Sequence, residues 1–145
     1  MDDLQIRPLT AEEEEARRDA LEMAARLVGG TPPLSENQVA ELYLVLSDEY
    51  PDFLEGQIAL GIAFGELIVA KAGYEWVRVT DEYGSETALA PPGVQGACHP
   101  ISMMQKRIKD RADIDIAQTR DATIEVVEDR VRSGQWAARQ SAGVD

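Results

Sequence analysis

The feature that most constrains this fold is an apolar helix interrupted by two glycines. Residues 53–72 have helical spacing, and Gly61 and Gly65 lie in the centre of this segment. Each glycine costs ~1 kcal/mol relative to alanine in a helix interior. Because residues four apart share a helix face, the pair predicts that another backbone or an aromatic ring packs closely there. The alternative is a groove that admits a ligand.

One carboxylate, Glu66, stands inside the same apolar helix. Its neighbours three and four residues away are all apolar: Ile62, Ala63, Val69 and Ala70. A helix that is apolar nearly all round is usually buried, and a buried carboxylate needs a partner or its pKa rises. Lys106 and Arg107 are the expected partners. An ion pair between two helices is the structural interpretation, and a general base is the functional alternative.

The remaining helices are marked by the residues at their ends. Capping boxes predict the starts of the first two helices, at Thr10 with Glu13 and at Ser35 with Gln38. Pro100 suits the first turn of a fourth helix, since that position has no need of a backbone amide. Helical spacing from Ile116 to about Ser133 marks a fifth.

A short β region follows the glycine-containing helix. Residues 76–81 are rich in strand-forming side chains, residues 82–85 form a turn, and residues 86–90 are a returning strand. A third strand is expected near Ala97 and Cys98. These elements predict an α+β fold of about five helices packed on a small two- to three-stranded antiparallel sheet.

The domain organisation is expected to be simple. A chain of 145 residues fits one domain with its own core. We expect a single domain over residues 1–145, with frayed tails at residues 1–9 and 135–145.

Alternation along the first predicted strand separates its side chains into two faces. Val77 and Val79 are expected in the core. Trp76 and Arg78 point the other way, where they either close the edge of the core or form an exposed recognition patch. Asp81, with an adjacent acid before a glycine turn, is a weak candidate for binding a cation, because the spaced oxygens of a calcium loop are missing.

The predicted helix after Pro100 ends in a basic cluster. Lys106, Arg107, Lys109 and Arg111 outweigh Asp110 on an otherwise acidic chain. Positive charge is favoured at a helix C-terminus, so a solvated helix end explains the cluster. The functional alternative is a patch that binds an anion or an acidic partner.

No residue pattern indicates catalysis, a metal site or a cofactor. Cys98 and His99 are adjacent, whereas zinc sites need about four ligands at characteristic spacings. Ser102 lacks the sequence context of a nucleophile. Phosphate-binding loops and nucleophile elbows are missing from the sequence.

Charge and composition limit the classes of partner. The net charge is −13, and residues 1–55 carry 14 acidic and four basic side chains. Such a surface disfavours nucleic acid, which needs a positive field, and suits a basic protein partner. Solubility alone is the alternative explanation. One cysteine, no signal peptide and no apolar run of ~20 residues lead us to expect a cytoplasmic protein without a membrane span.

Three separated motifs relate the centre of the chain to a known family. They are LGxxFG at residues 60–65, WVxVxDExG at 76–84 and PxSMxxKRI at 100–108. Through them, residues from about 60 to 116 resemble an uncharacterised family of small bacterial α+β domains. The resemblance implies a shared fold and supplies no activity or catalytic residue. Domains of this kind often occur as small stand-alone bacterial cytosolic proteins, and some are candidates for immunity proteins against secreted toxins.

These features favour a non-enzymatic protein-binding module, such as a bacterial immunity protein that masks a basic toxin surface. The alternative is a small-ligand-binding protein or an enzyme that uses Glu66 with Lys106 or Arg107. The candidate binding residues are Glu66, Trp76, Arg78, Asp81, Lys106 and Arg107.

Overall fold

Five helices and a three-stranded antiparallel sheet make up residues 4–139, the part of the chain that the computed structural model describes. In chain order the elements are β1 (Gln5–Pro8), α1 (Ala11–Leu27), α2 (Glu36–Glu49), α3 (Leu54–Ala72), β2 (Glu75–Asp81), β3 (Gly84–Ala90), α4 (Pro100–Lys109) and α5 (Ile116–Arg132). The predicted α+β class is confirmed.

The helix ends follow the capping signals in the sequence. Thr10 and Ser35 each accept a hydrogen bond from the backbone three residues on, and both capping boxes are complete. Gly73 ends α3 in the left-handed conformation, with φ 74°. Pro100 occupies the first turn of α4. These helix ends could be predicted from the sequence because each depends on one or two local residues.

The third strand was predicted in the wrong place. It is β1, at residues 5–8, which pairs with β2 so that the sheet order is β1-β2-β3. Cys98 forms only an isolated bridge with Leu89 beside β3. The expectation of a frayed tail over residues 1–9 is therefore wrong for residues 5–8. Four residues ending in proline carry too weak a strand pattern, and the long-range pairing with β2 determines their conformation.

Helix α3 lies at the centre of the main core, and its glycines explain why. A side chain at Gly61 would meet the backbone of Ile101 in α4. A side chain at Gly65 would meet the ring of Trp76 in β2 and, at 3.2 Å, Pro100. The predicted close approach of a backbone and a ring is confirmed, and it fixes α3 between α4 and the sheet.

The two faces of the sheet belong to different apolar clusters. Val77 and Val79 are buried, as expected, but they pack with Ala88 and Ala90 in a small separate cluster. The main core contacts the opposite face through Leu89 and, at its edge, Trp76. Trp76 therefore closes the edge of the main core.

Residues 135–139 were expected to fray, and they are held in place. The amide of Gln95 donates to the carbonyl of Ala137 (2.8 Å), and the amide of Arg139 donates to Gly93 (2.7 Å). The Trp136 ring covers Gly96, where a side chain could not fit. Residues 140–145 of the predicted tail lie outside the described residues. Within residues 4–139, none of the helices combines the length and the apolar character that crossing a membrane requires.

Candidate functional site

Glu66 is paired, but with different residues from those predicted. Its Oε2 accepts hydrogen bonds from Arg17 of α1 (3.0 Å) and from the indole N–H of Trp76 (2.7 Å). The prediction of Lys106 or Arg107 as partner is wrong. The glycine face of α3 turns towards α4, and Glu66, one residue beyond Gly65, is rotated by about 100° from it. That rotation places the carboxylate beside α1.

The same side of the sheet carries a second group of ion pairs. Arg7 donates two hydrogen bonds to Glu13, at 2.8 and 3.0 Å, and Arg78 lies 3.7 Å from the same carboxylate. Arg78 also donates to Ser85 (2.7 Å) and Thr87 (3.2 Å). Its guanidinium is thus occupied inside the fold, and an exposed recognition patch at Arg78 is not what the structure shows.

The carboxyl group of Glu13 has a lowered pKa. The hydrogen bonds from Arg7, and then the backbone amide of Thr10 in the capping box, lower the pKa of Glu13 to about 2. The carboxylate therefore stays charged at neutral pH and holds the N-terminus of α1 against the sheet.

The six candidate residues do not form one site. Glu66, Trp76 and Arg78 lie between α1, α3 and the sheet, where they join structural elements. Asp81 accepts the amide of Tyr83 (2.8 Å) and shapes the β2–β3 turn. Lys106 of α4 pairs with Asp110, the residue that follows the helix (3.4 Å), and Arg107 lies apart, in a groove beside α5.

The residues best suited to nucleophilic chemistry are not arranged for it. Ser102 donates to Glu86 (3.1 Å), and His99 Nδ1 lies 3.3 Å from the same carboxylate without hydrogen-bond geometry. Burial raises the pKa of the Cys98 thiol to about 11, so the thiol is protonated at neutral pH. Across residues 4–139, His, Cys, Asp and Glu side chains nowhere gather in a group of three or more that could hold a metal ion.

Large apolar residues are exposed on α2 and at the α2–α3 junction. Three large apolar side chains there are more than half exposed: Leu44 (56%), Tyr50 (54%) and Leu54 (57%). Five exposed acidic residues accompany them in the chain: Glu41, Asp48, Glu49, Asp52 and Glu55. We call these eight residues the acidic face.

The carboxylates of the acidic face lack ion-pair partners within residues 4–139, whereas the neighbouring Glu36 at the start of α2 pairs with Arg120. Isolated exposed apolar residues are ordinary, whereas three large ones between residues 44 and 54, among unpaired carboxylates of the same segment, make this segment a candidate for binding a partner. The acidic face therefore combines exposed apolar residues with carboxylates that have no ion-pair partner within residues 4–139.

The exposure of Tyr50 does not follow from helical spacing. Tyr50 lies four residues after the buried Leu46, but it is exposed because Pro51 ends the helix and turns the chain. Leu44 carried a readable signal, because its helical position points away from Leu42 and Leu46, which form the buried side. An apolar residue on the polar side of an amphipathic helix was the clue.

These elements define the class of the protein as an α+β domain whose central helix packs closely on its neighbours. Residues 49–119, from the end of α2 into α5, match a family described as "Domain of unknown function (DUF3806)". The resemblance to an uncharacterised family is thereby confirmed. The match contains Glu66, Trp76, Arg78, Asp81, Lys106 and Arg107.

A solved structure from Bacteroides thetaiotaomicron VPI-5482, a crystal structure at 1.50 Å resolution, has a similar fold. The TM-score is 0.67 at 15% sequence identity, and the similarity covers 83% of this chain and 47% of that one. This chain thus spans about half the length of the structure it matches, and the likeness concerns the fold alone. No protein of curated function matches this chain.

Proposed function

We propose that this protein is a non-enzymatic protein-binding module that recognises a basic protein through the acidic face. The observation that carries the proposal is the exposure of Leu44, Tyr50 and Leu54 among five carboxylates without ion-pair partners. Apolar side chains at the centre of an interface supply affinity when they are desolvated. The surrounding charges speed the encounter and select against acidic partners.

The partner's basic character follows from the charge distribution. Residues 1–55 have a net charge of −10 within a chain of net charge −13. The acidic face belongs to this region of the chain, and its unpaired carboxylates favour a basic partner. An immunity protein that covers a basic toxin surface is the specific form of the proposal.

Two observations support binding over catalysis. Glu66 is held by Arg17 and Trp76, so its carboxylate has an ion-pair partner and is not set up as a free base. The Cys98 thiol is protonated at neutral pH, which makes it a poor nucleophile. The alternative mechanism that joined Glu66 to Lys106 or Arg107 is not proposed, since these residues lie apart.

The experiment compares capture of host proteins by the wild type and by two matched variants. The first variant, L44S/Y50S/L54S, removes the exposed apolar groups of the acidic face. The control, L27S/Y83S/V131S, removes three other exposed apolar residues elsewhere on the surface. Circular dichroism and urea unfolding establish that all three proteins are folded.

We expect the wild type and the control to retain the same basic protein, and the acidic-face variant to lose it. The captured protein is then purified and its binding is measured directly. A partner held equally by all three proteins, or an acidic partner, would contradict the proposal.

A further inference from the structure

An open groove lies between α4, α5 and the segment around Trp136, remote in sequence from the acidic face and sharing no residue with it. Its cavity volume is about 600 Å³, within the range of small-molecule sites. Apolar side chains from both helices form much of its lining, including Met103, Val126 and Val127, and Val126 is 48% exposed. The indole of Trp136 forms one wall.

Among residues 4–139, no acidic side chain lines the groove, although the chain has 27 acidic residues. Two arginines line it, Arg107 from α4 and Arg130 from α5. Neither has a carboxylate partner within residues 4–139, whereas Arg7, Arg17 and Arg120 each form ion pairs. A concentration of unpaired positive charge in an acidic protein favours an anionic ligand.

Arg107 supplies the second, independent observation. Its Nε is buried and has no hydrogen-bond partner in the described part of the chain. A buried donor without an acceptor costs free energy, more so when it belongs to a charged group. Because Nε itself is buried, an anion in the groove would bind the terminal nitrogens of this guanidinium, whose charge no carboxylate within residues 4–139 neutralises.

The other walls suit the body of an organic ligand. The guanidinium of Arg130 lies 5.5 Å from the centre of the Trp136 ring, and this cation–π contact holds the indole at the wall of the groove. The hydroxyls of Thr119 and Thr123 already donate to backbone carbonyls, so they remain available only as acceptors. Arginine is thus the charged donor of the groove, and the rest of the lining is mainly apolar.

We propose that this groove binds a small organic carboxylate with an apolar or aromatic body, its carboxylate on Arg107 and its body against Val126 and Trp136. Guanidinium pairs with carboxylate through two parallel hydrogen bonds, a geometry that an Arg side chain provides without other donors. The site is independent of the proposed protein partner.

The test is a calorimetric titration of the full chain with 1-naphthoate. Its neutral analogue 1-naphthalenemethanol and inorganic phosphate are titrated in parallel. The R107Q variant removes the charge in the groove, and K109Q makes the same charge change on α4 outside the groove. V126W fills the groove without removing charge. Urea unfolding checks that each variant is folded.

We expect 1-naphthoate to bind, R107Q and V126W to weaken it about tenfold or more, and K109Q to leave it unchanged. Quenching of tryptophan fluorescence should accompany binding and disappear in W136F. The proposal is overturned if 1-naphthoate does not bind saturably, or if R107Q behaves like K109Q. It is also overturned if the neutral analogue or phosphate binds as tightly as 1-naphthoate.

Discussion

At the scale of single residues, the charged side chains divide into those that build the fold and those left for a partner. Glu66 and Glu13 are each held by arginine and by a neutral donor, which ties α1 to α3 and to the sheet. The sequence predicted that Glu66 needs a partner, because every helical neighbour is apolar. It could not identify Arg17, since the rotation of α1 against α3 depends on packing.

Replacing Glu66 with glutamine tests the structural role. E66Q keeps an acceptor for Trp76 but removes the charge opposite Arg17, and both side chains are mostly buried. We expect a loss of about 1.5–3 kcal/mol in the free energy of unfolding, the scale of a hydrogen bond to a charged group. The control is K106Q, which breaks the exposed Lys106–Asp110 pair and should cost less than about 0.5 kcal/mol. If urea unfolding showed that E66Q and K106Q lose equal amounts of the free energy of unfolding, this structural role of Glu66 would be contradicted.

Glu13 predicts a pH dependence. Its pKa is about 2 in the folded state against 4.5 for the free side chain. A lowered pKa stabilises the fold above about pH 4.5, and that contribution is lost as the pH falls towards 2. E13Q keeps a capping-box side chain but has no charge. The urea midpoints of wild type and E13Q should therefore converge between pH 4.5 and 2, and a constant difference over this range would refute the assignment.

At the scale of elements, the glycine face of α3 organises the structure. Gly61 admits α4 and Gly65 admits the ring of Trp76. The close approach was predictable because glycine is costly in a helix and two of them share a face. The identity of the neighbours was not, and β1 was missed entirely, because its pairing joins residues 5–8 to a strand about 70 residues later.

A double-mutant cycle between Gly65 and Trp76 measures this contact. G65A places a methyl group against the indole ring, and overpacking of a tight core costs about 1–3 kcal/mol. Phenylalanine lacks the ring atoms nearest to Gly65, so in the W76F background the cost of G65A should fall. Urea unfolding of the four proteins gives the coupling energy. If the two substitutions changed the free energy of unfolding additively, Gly65 and the Trp76 ring would not be energetically coupled.

At the scale of the whole molecule, charge is distributed unevenly over a fold that buries its apolar residues on both faces of a small sheet. The acidic character of residues 1–55 was evident from the sequence, and it predicted a basic partner. The acidic face could be located only from the structure, because exposure of Tyr50 and Leu54 depends on how the chain turns between α2 and α3. Arg107 was recognised as unusual in the sequence, but its groove is formed with α5 and Trp136, which are distant in the chain.

The proposed binding of a basic protein to the acidic face is tested by the affinity of a purified partner for two charge-reversal variants. The variant E41K/D48K/E49K reverses three charges on the acidic face. The variant E15K/D19K/E22K makes the same change in net charge on the exposed side of α1. We predict that the first variant weakens binding strongly while the second has a small effect that rising salt removes. Equal weakening by both variants would contradict the account, because binding would then depend on net charge and not on this surface.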